Sequence, residues 1–374
     1  MKIAVIRQKF VNYGGAEQFV SEYTTHLANA GHNIHIFANQ WTPSNHPNIR
    51  VHPVRAIKLN SFFRTLSFAS FALRAVRAES FDIVQSHERI WYQDVYRAGD
   101  GCHREWLERR ASYLPSIKKL SFQFNLFHQL VLKMEKEIFE SGQCKKIIAI
   151  SEMVKRDIIK HYDLPEDRIE VVYNGVRLDR FHPGNKNRFR SKVRDRLRIS
   201  DDERMVLFVG SGFERKGLKY LLKALPYLEQ ENWRLVLVGK GNWERCLNFV
   251  SEKNRRKITH LDPIDDIETL YASADFFILP SIYEPFGNAN LEALAAGLPI
   301  ITSRNCGAAE IITSKKEGIV LKEPSDAKAI AGAIDYLMDF KVRKPMAQAA
   351  RFLAEQFTQE RNATEMLKIY EKII

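Results

Sequence analysis

At 374 residues the chain is longer than one ordinary core accommodates, and its length predicts two domains. Its 45% apolar and 27% charged residues exclude a disordered or fibrous chain. Lys+Arg 57 against Asp+Glu 45 leaves +12, which favours anionic partners: phosphorylated small molecules, nucleic acid or an acidic membrane face. Cys102, Cys144, Cys246 and Cys306 are far apart with no C-x-x-C pair, so they read as reduced thiols and not as a zinc or redox site.

In chain order, KIAVI within MKIAVIRQKF reads as a first strand and not as a signal peptide. No apolar run reaches bilayer-spanning length, and the predicted location is cytoplasmic. AEQFVSEYTTHLANAG predicts a helix ending at Gly31, NIHIFA the next strand, then FDIVQSH, and KKIIAIS leading into the helix EMVKRDIIKHY. The turn-rich VVYNGVRLDRFHPG places a domain boundary near Asn174–Gly175. A second series follows: MVLFVGSG, LKYLLKALPYL, RLVLVGKG, FFILPS, LEALAAG and PIITS. Strands alternating with helices predict an α/β protein of two doubly wound parallel sheets, residues 1–174 and 175–356. The amphipathic helix from about 357 to 374 ends EMLKIYEKII. Two such domains would face each other across a cleft with the carboxyl ends of their strands, where ligands bind.

The candidate chemistry lies in the strand-end loops. NYGGAEQF is not G-x-G-x-x-G, which removes support for a dinucleotide. Gly14–Gly15 still let backbone amides approach a phosphate, and a plain tight turn reads equally well. In QSHER, His87 closes a strand; in GDGCHREW, Asp100 sits between two glycines with an open backbone. A lone histidine is more often structural than catalytic. In GFERKG, Arg215 and Lys216 offer a planar fork and a compact charge suited to a diphosphate; the alternative is a solvated basic turn. SIYEPFGNANLEALAAGLP carries Glu284 after a strand and Glu292 about two turns into a helix, with Gly287–Asn290 at its start. Carboxylates accept hydrogen bonds from sugar hydroxyls, and helix-start amides hold anions. The bland reading is a loop charge and a solvated helix residue. No D-x-D triplet occurs, so protein cations and a helix N-terminus, not a metal, are expected to neutralise a diphosphate.

Residues 104–136 mix basic clusters with a stripe of Leu120, Phe124, Phe127, Val131 and Met134, widened by Phe122, Leu126 and Leu130. Two readings stand: an interfacial segment whose Arg109, Arg110, Lys118 and Lys119 meet anionic lipid, or a helix packed on the sheet.

With YGGAE, VVYNGV, GFERKG and LYASADFFILPSIYEPFGNANLEALAAGLPIITS, the chain resembles family 4 glycosyltransferases of the GT-B type over essentially its whole length. Together with AGDGCHREW and the basic, aromatic segment after it, GFERKG is similar to the glucosyltransferases that glucosylate inner-core heptose of lipopolysaccharide. The resemblance implies a hexosyltransferase that retains anomeric configuration. Its donor is expected to be UDP-glucose, with no metal required. Glu292 would accept the ribose hydroxyls and Glu284 would contact the hexose. Arg215 and Lys216 would bind the diphosphate with amides around Phe286, Gly287, Asn288 and Ala289, and with Gly15. Asp100 would lie near the anomeric carbon or acceptor hydroxyl, with His87 orienting or polarising. The first domain would bind the acceptor and the second the donor, and the C-terminal helix would cross back to the first. The 104–136 segment would meet the inner membrane. One departure concerns the base: Ile264 stands where such enzymes carry an arginine near the uracil, which leaves UDP-N-acetylglucosamine and GDP-mannose as alternatives. A nucleic-acid-binding protein would use the same charge, but no binding module is present. A silent sugar-nucleotide-binding scaffold would not need Glu284, Glu292, Arg215 and Lys216 all intact.

Overall fold

The computed structural model describes residues 1–8, 15–42, 44–114, 122 and 124–374. Gly14, Lys118, Lys119 and Leu120 lie outside the described residues. The chain forms two compact units, residues 1–174 with 359–374, and residues 175–358.

The first unit runs β1 (Lys2–Ile6), α1 (Gly15–Asn29), β2 (Asn33–Ala38), β3 (Ile49–Pro53), α2 (Ser61–Arg77), β4 (Ile83–Ser86) and β5 (Val95–Ala98). It continues with α3 (His103–Ser112), α4 (Leu126–Glu140), β6 (Lys146–Ala149), α5 (Glu152–His161) and β7 (Ile169–Val171). All seven strands are parallel, in the order β3-β2-β1-β4-β5-β6-β7. Period-two alternation in KIAVI sends Ile3 and Val5 to one face, against Phe19, Tyr23 and Leu27 of α1. Ala4 and Ile6 go to the other face, with Phe68 and Ala72 of α2 and Met134 of α4. Both faces of the sheet are thus covered, the usual requirement of an all-parallel sheet.

The second unit contains α6 (Asn185–Leu197), β8 (Arg204–Val209), α7 (Leu218–Ala224), β9 (Trp233–Val238), α8 (Glu252–Arg255), β10 (Ile258–Leu261), α9 (Glu268–Ser273) and β11 (Phe276–Leu279). Then come α10 (Asn288–Ala295), β12 (Ile300–Ser303), β13 (Gly318–Leu321), α11 (Ala327–Met338) and α12 (Phe340–Ala354). Its six parallel strands run β10-β9-β8-β11-β12-β13. Every residue of β11 is buried, as its uninterrupted FFIL predicts for a central parallel strand. In both sheets the order reverses beside the first strand, between β1 and β4 and between β8 and β11. Ligands of doubly wound sheets bind at such reversals, beyond the strands' carboxyl ends.

The last helix, α13 (Gln359–Glu371), belongs to the first unit. Met366, Ile369 and Tyr370 are buried in the core shared with α1 and β1. Gln359 Nε2 donates to Glu22 at 2.9 Å, and Asn362 Nδ2 to the Tyr173 carbonyl at 2.6 Å.

The apolar stripe of 104–136 is not one continuous helical face. Asn125 caps α4 by accepting the N–H groups of Phe127 and His128, so Phe124 precedes the helix and is 77% exposed. Leu126 is exposed too, whereas Leu130, Val131 and Met134 are buried. The expectation that Arg109 faces lipid is corrected. Its guanidinium pairs with Glu105 at 2.7 Å and Asp157 at 3.4 Å, because that half-buried charge is stabilised by internal carboxylates. Arg110 lies over the rings of Trp106 and Phe122. Among the described residues, no helix is long and apolar enough to cross a membrane.

Candidate active site

In the second unit the loop after β8 and the loop after β11 are laced together. Ile282 N–H donates to the Arg215 carbonyl at 2.9 Å. Gly217 has φ +74°, and a Cβ there would stand 1.9 Å from the Pro280 carbonyl oxygen, so only glycine lets the two backbones meet. A Cβ on Gly210 would fall 2.4 Å from the Lys216 side chain, whose path to Glu284 it leaves open. Lys216 Nζ donates to Glu284 Oε2 at 2.8 Å, and Arg215 Nη1 stands 3.4 Å from Oε1. The structure therefore brings Arg215, Lys216 and Glu284 into one buried to half-buried ion cluster.

Glu284 is fixed from its backbone as well. Its N–H donates to the Asn305 carbonyl and its own carbonyl accepts from Gly307, both at 2.9 Å. Burial disfavours the ionised carboxylate, but the charges of Arg215 and Lys216 outweigh it and hold Glu284 below the ordinary carboxylate range. Gly287, φ +83°, starts α10; a Cβ there would crowd Asn290 Nδ2 at 2.8 Å and Glu284 Cγ at 3.0 Å. Phe286 is buried, and Gly287, Asn288 and Ala289 form the junction of loop and helix. A helix's first amides have no partner within the helix, which suits this junction to an anion.

Glu292 lies in the second turn of α10, which starts at Asn288 as its sequence suggested. Tyr271 Oη donates to Glu292 Oε2 at 2.8 Å. Burial pushes the Glu292 carboxyl up, and that hydrogen bond offsets it only in part. Carboxylates of unlike environment thus follow β11: Glu284 firmly ionised, Glu292 nearer to taking a proton.

In the first unit the candidates again sit at strand ends by the reversal. Gly15 opens α1 after β1, His87 directly follows β4, and Asp100 follows β5. Asp100 is exposed, beside Gly101 with φ +72°. That turn is held from beneath. Arg89 Nη2 donates to the Gly101 carbonyl at 3.0 Å and to Glu135 Oε1 at 2.8 Å. Glu135, fully buried, also accepts the His103 and Arg104 N–H groups at the start of α3 and the Tyr162 hydroxyl. His87 is buried, with Phe19 and Tyr23 rings beside it. Burial, with Arg97 and Arg7 nearby, holds its imidazole well below the usual histidine range, so it is neutral at neutral pH. Arg97 lies 3.8 Å over the Phe19 ring and donates to Asn174 Oδ1 at 2.5 Å, and burial pulls its pKa down to about 9.

Glu135, Arg89, Gln85 and Arg97 were not singled out from the sequence. Gln85, Arg89 and Arg97 were marked only by their place in or beside strand-end segments, and Glu135, inside α4, by nothing. Among the described residues, two groups could offer a metal three ligands, His35–His52–Glu79 and Glu105–Glu108–His161, and neither includes a candidate residue.

The chain is similar to known proteins. Residues 13–180 match the model described as Glycosyltransferase Family 4, and residues 189–352 that of Glycosyl transferases group 1. The lipopolysaccharide glucosyltransferase WaaG of Escherichia coli is 24% identical over 361 residues, covering 95% of this chain and 94% of that protein. The uncharacterized glycosyltransferase MJ1607 of Methanocaldococcus jannaschii is 32% identical over 242 residues, covering 63% of this chain and 62% of that protein, less than two thirds of its length. The crystal structure of WaaG superposes with a TM-score of 0.86 at 22% identity, over 98% of this chain and 99% of that one. Anabaena HepE in complex with UDP-glucose gives 0.74 at 16% identity, over 100% of both chains.

The ion cluster has a measurable signature. Because the folded Glu284 carboxyl lies below its unfolded value, its pairing adds stability above the usual carboxylate range and loses it as the pH falls through the folded value. Glu284→Gln is expected to cost about 1–3 kcal/mol at neutral pH. Thermal unfolding of both proteins should show this difference shrinking in acid; a pH-independent difference would refute the pairing.

Proposed function

Because the chain belongs to glycosyltransferase family 4 and is a hexosyltransferase built on the GT-B fold, we propose that it moves glucose from UDP-glucose to a hydroxyl of a lipopolysaccharide core or similar glycolipid acceptor. The observation that carries this reading is the closure of Arg215 and Lys216 on Glu284 at the sheet's reversal. It is supported by the named activity of WaaG and by the UDP-glucose bound to HepE.

In this reading the second unit binds the donor and the first the acceptor. Arg215, Lys216 and the α10 junction at Phe286–Ala289 take the diphosphate. Glu284 takes hexose hydroxyls and Glu292 the ribose hydroxyls. The anomeric C–O bond breaks, and the leaving diphosphate's growing charge is offset by both cations and the helix N-terminus. The acceptor oxygen attacks from the same face, and its proton passes to a phosphate oxygen, so the configuration is retained with no covalent intermediate. Asp100 and His87 orient the acceptor hydroxyl or polarise the reacting centre. No metal takes part, the protein cations carrying that role. Ile264 leaves a donor with another base or sugar, UDP-N-acetylglucosamine or GDP-mannose, as the second reading.

A thermal-shift panel of UDP-glucose, UDP-N-acetylglucosamine, GDP-mannose and the free nucleotides, with and without Mg²⁺, separates the readings. UDP-glucose is expected to give the largest shift, unchanged by metal; saturation at ~100 times Kd stabilises by roughly 2.7 kcal/mol. Turnover of Arg215→Ala and of Lys216→Ala should fall by about 10²–10³ with the fold intact. Near-normal turnover in both variants would sink the diphosphate assignment.

We also propose that the protein sits at the cytoplasmic face of a membrane, through Phe124, Leu126 and the cations of 104–136 other than Arg109. Anionic vesicles should sediment it at low salt and release it at high salt. Equal binding to neutral vesicles, or to none, would count against this.

A further inference from the structure

The groups behind His87 carry an inference that rests on its reading as a residue of the reacting face. Tyr370, near the end of α13, donates its hydroxyl to Gln85 Oε1. Tyr23 on α1 bonds to the Tyr370 hydroxyl and stands 3.4 Å from the same amide oxygen. Gln85 is completely buried, and its amide has one accepting and one donating end. With Oε1 occupied by tyrosine hydroxyls, Nε2 is turned to His87 Nε2, 2.7 Å away. An amide N–H only donates. His87 Nε2 must therefore accept, which leaves the ring proton on Nδ1.

We propose that Gln85, set by Tyr23 and Tyr370, is a positioning residue that locks His87 as the neutral imidazole protonated on Nδ1. His87 then offers the substrate a hydrogen-bond donor and is no general base, and the C-terminal helix is part of the machinery that makes it so. No acceptor for Nδ1 lies among the described residues, which leaves that N–H for a ligand hydroxyl. The charged and titratable groups around the ring agree. Arg7, from the end of β1, donates to the His87 carbonyl at 3.4 Å. Arg97, from β5, adds a second positive charge, Tyr23 from α1 adds a hydroxyl, and Glu88 is engaged by Arg7 at 3.3 Å. Two cations beside the ring oppose its protonation. The two ends of the relay are far apart in sequence, and only the return of α13 to the first unit joins them.

The test is nitrogen NMR of the full chain carrying histidine labelled with the heavy isotope, with His87→Asn assigning the signal. The wild type should show an unprotonated Nε2 and a protonated Nδ1, unchanged between about pH 5 and 8. Gln85→Glu replaces the donor by an acceptor, so it should move the proton to Nε2 and raise the ring's pKa into that range. Tyr370→Phe releases one hold on the amide and should give a mixture of tautomers. Both variants should lower kcat about tenfold with donor KM nearly unchanged. A wild-type ring protonated on Nε2, or one titrating like a free histidine, overturns the inference, as does an unmoved proton in Gln85→Glu. The spectrum needs no substrate. Normal turnover in His87→Asn, with the spectrum as expected, would instead overturn the role given to His87.

Discussion

Two positive side chains on one tight loop repel each other, and the burial of Glu284 between Arg215 and Lys216 answers that repulsion. Much of the second unit's architecture follows from it. Gly210 and Gly217 let the loop after β8 approach the loop after β11, Gly287 leaves room for Glu284 beside Asn290, and the Glu284 backbone is pinned to Asn305 and Gly307. The arrangement also conditions what a diphosphate can gain. In the proposed reading it would meet cations already compensated by a carboxylate, so its net electrostatic contribution would be smaller than that of two bare charges. In exchange, a displaced Glu284 has lone pairs ready for sugar hydroxyls. On that proposal, discrimination between a diphosphate that carries a sugar and one that does not would arise from such an exchange.

The first unit solves a different problem with similar means. Asp100 must stand exposed on a short turn, and a free turn would wander. Buried Glu135 draws together Arg89, the start of α3 and the Tyr162 hydroxyl, and Arg89 in turn holds the Gly101 carbonyl. A carboxylate reaching a foreign helix N-terminus satisfies amides that have no partner within their own helix. Rigidity at Asp100 is therefore supplied from α4, whose opening residues are those exposed to solvent.

Sequence periodicity made the parallel sheets legible because their central strands, KIAVI, NIHIFA and FFIL, are nearly unbroken apolar runs between turns. The strand-end loops were legible too, since glycine beside charge has few other uses. The helix α6, NKNRFRSKVRDRL, was not. Its buried face includes Arg194, which a hydrophobic pattern cannot reveal, and its partner Asp275 also receives Arg190. The Tyr370–Gln85–His87 relay was hidden for another reason. Each residue occupies an ordinary helix or strand position, and their meeting depends on a contact between the two ends of the chain. The break between Phe124 and the helix that carries Val131 and Met134 was not legible, because periodicity does not register a cap such as Asn125.

The return of residues 359–374 to the first unit also governs how the molecule is made. Synthesis proceeds from the N-terminus, and domains generally fold as they emerge. Here the segment that completes the first core, with Met366, Ile369 and Tyr370, is translated after the whole second unit. Residues 1–174 must wait, incompletely packed, while the whole intervening unit is translated. A chain cut at the end of the second unit, after Thr358, keeps that unit's residues whole and lacks the helix that closes the first.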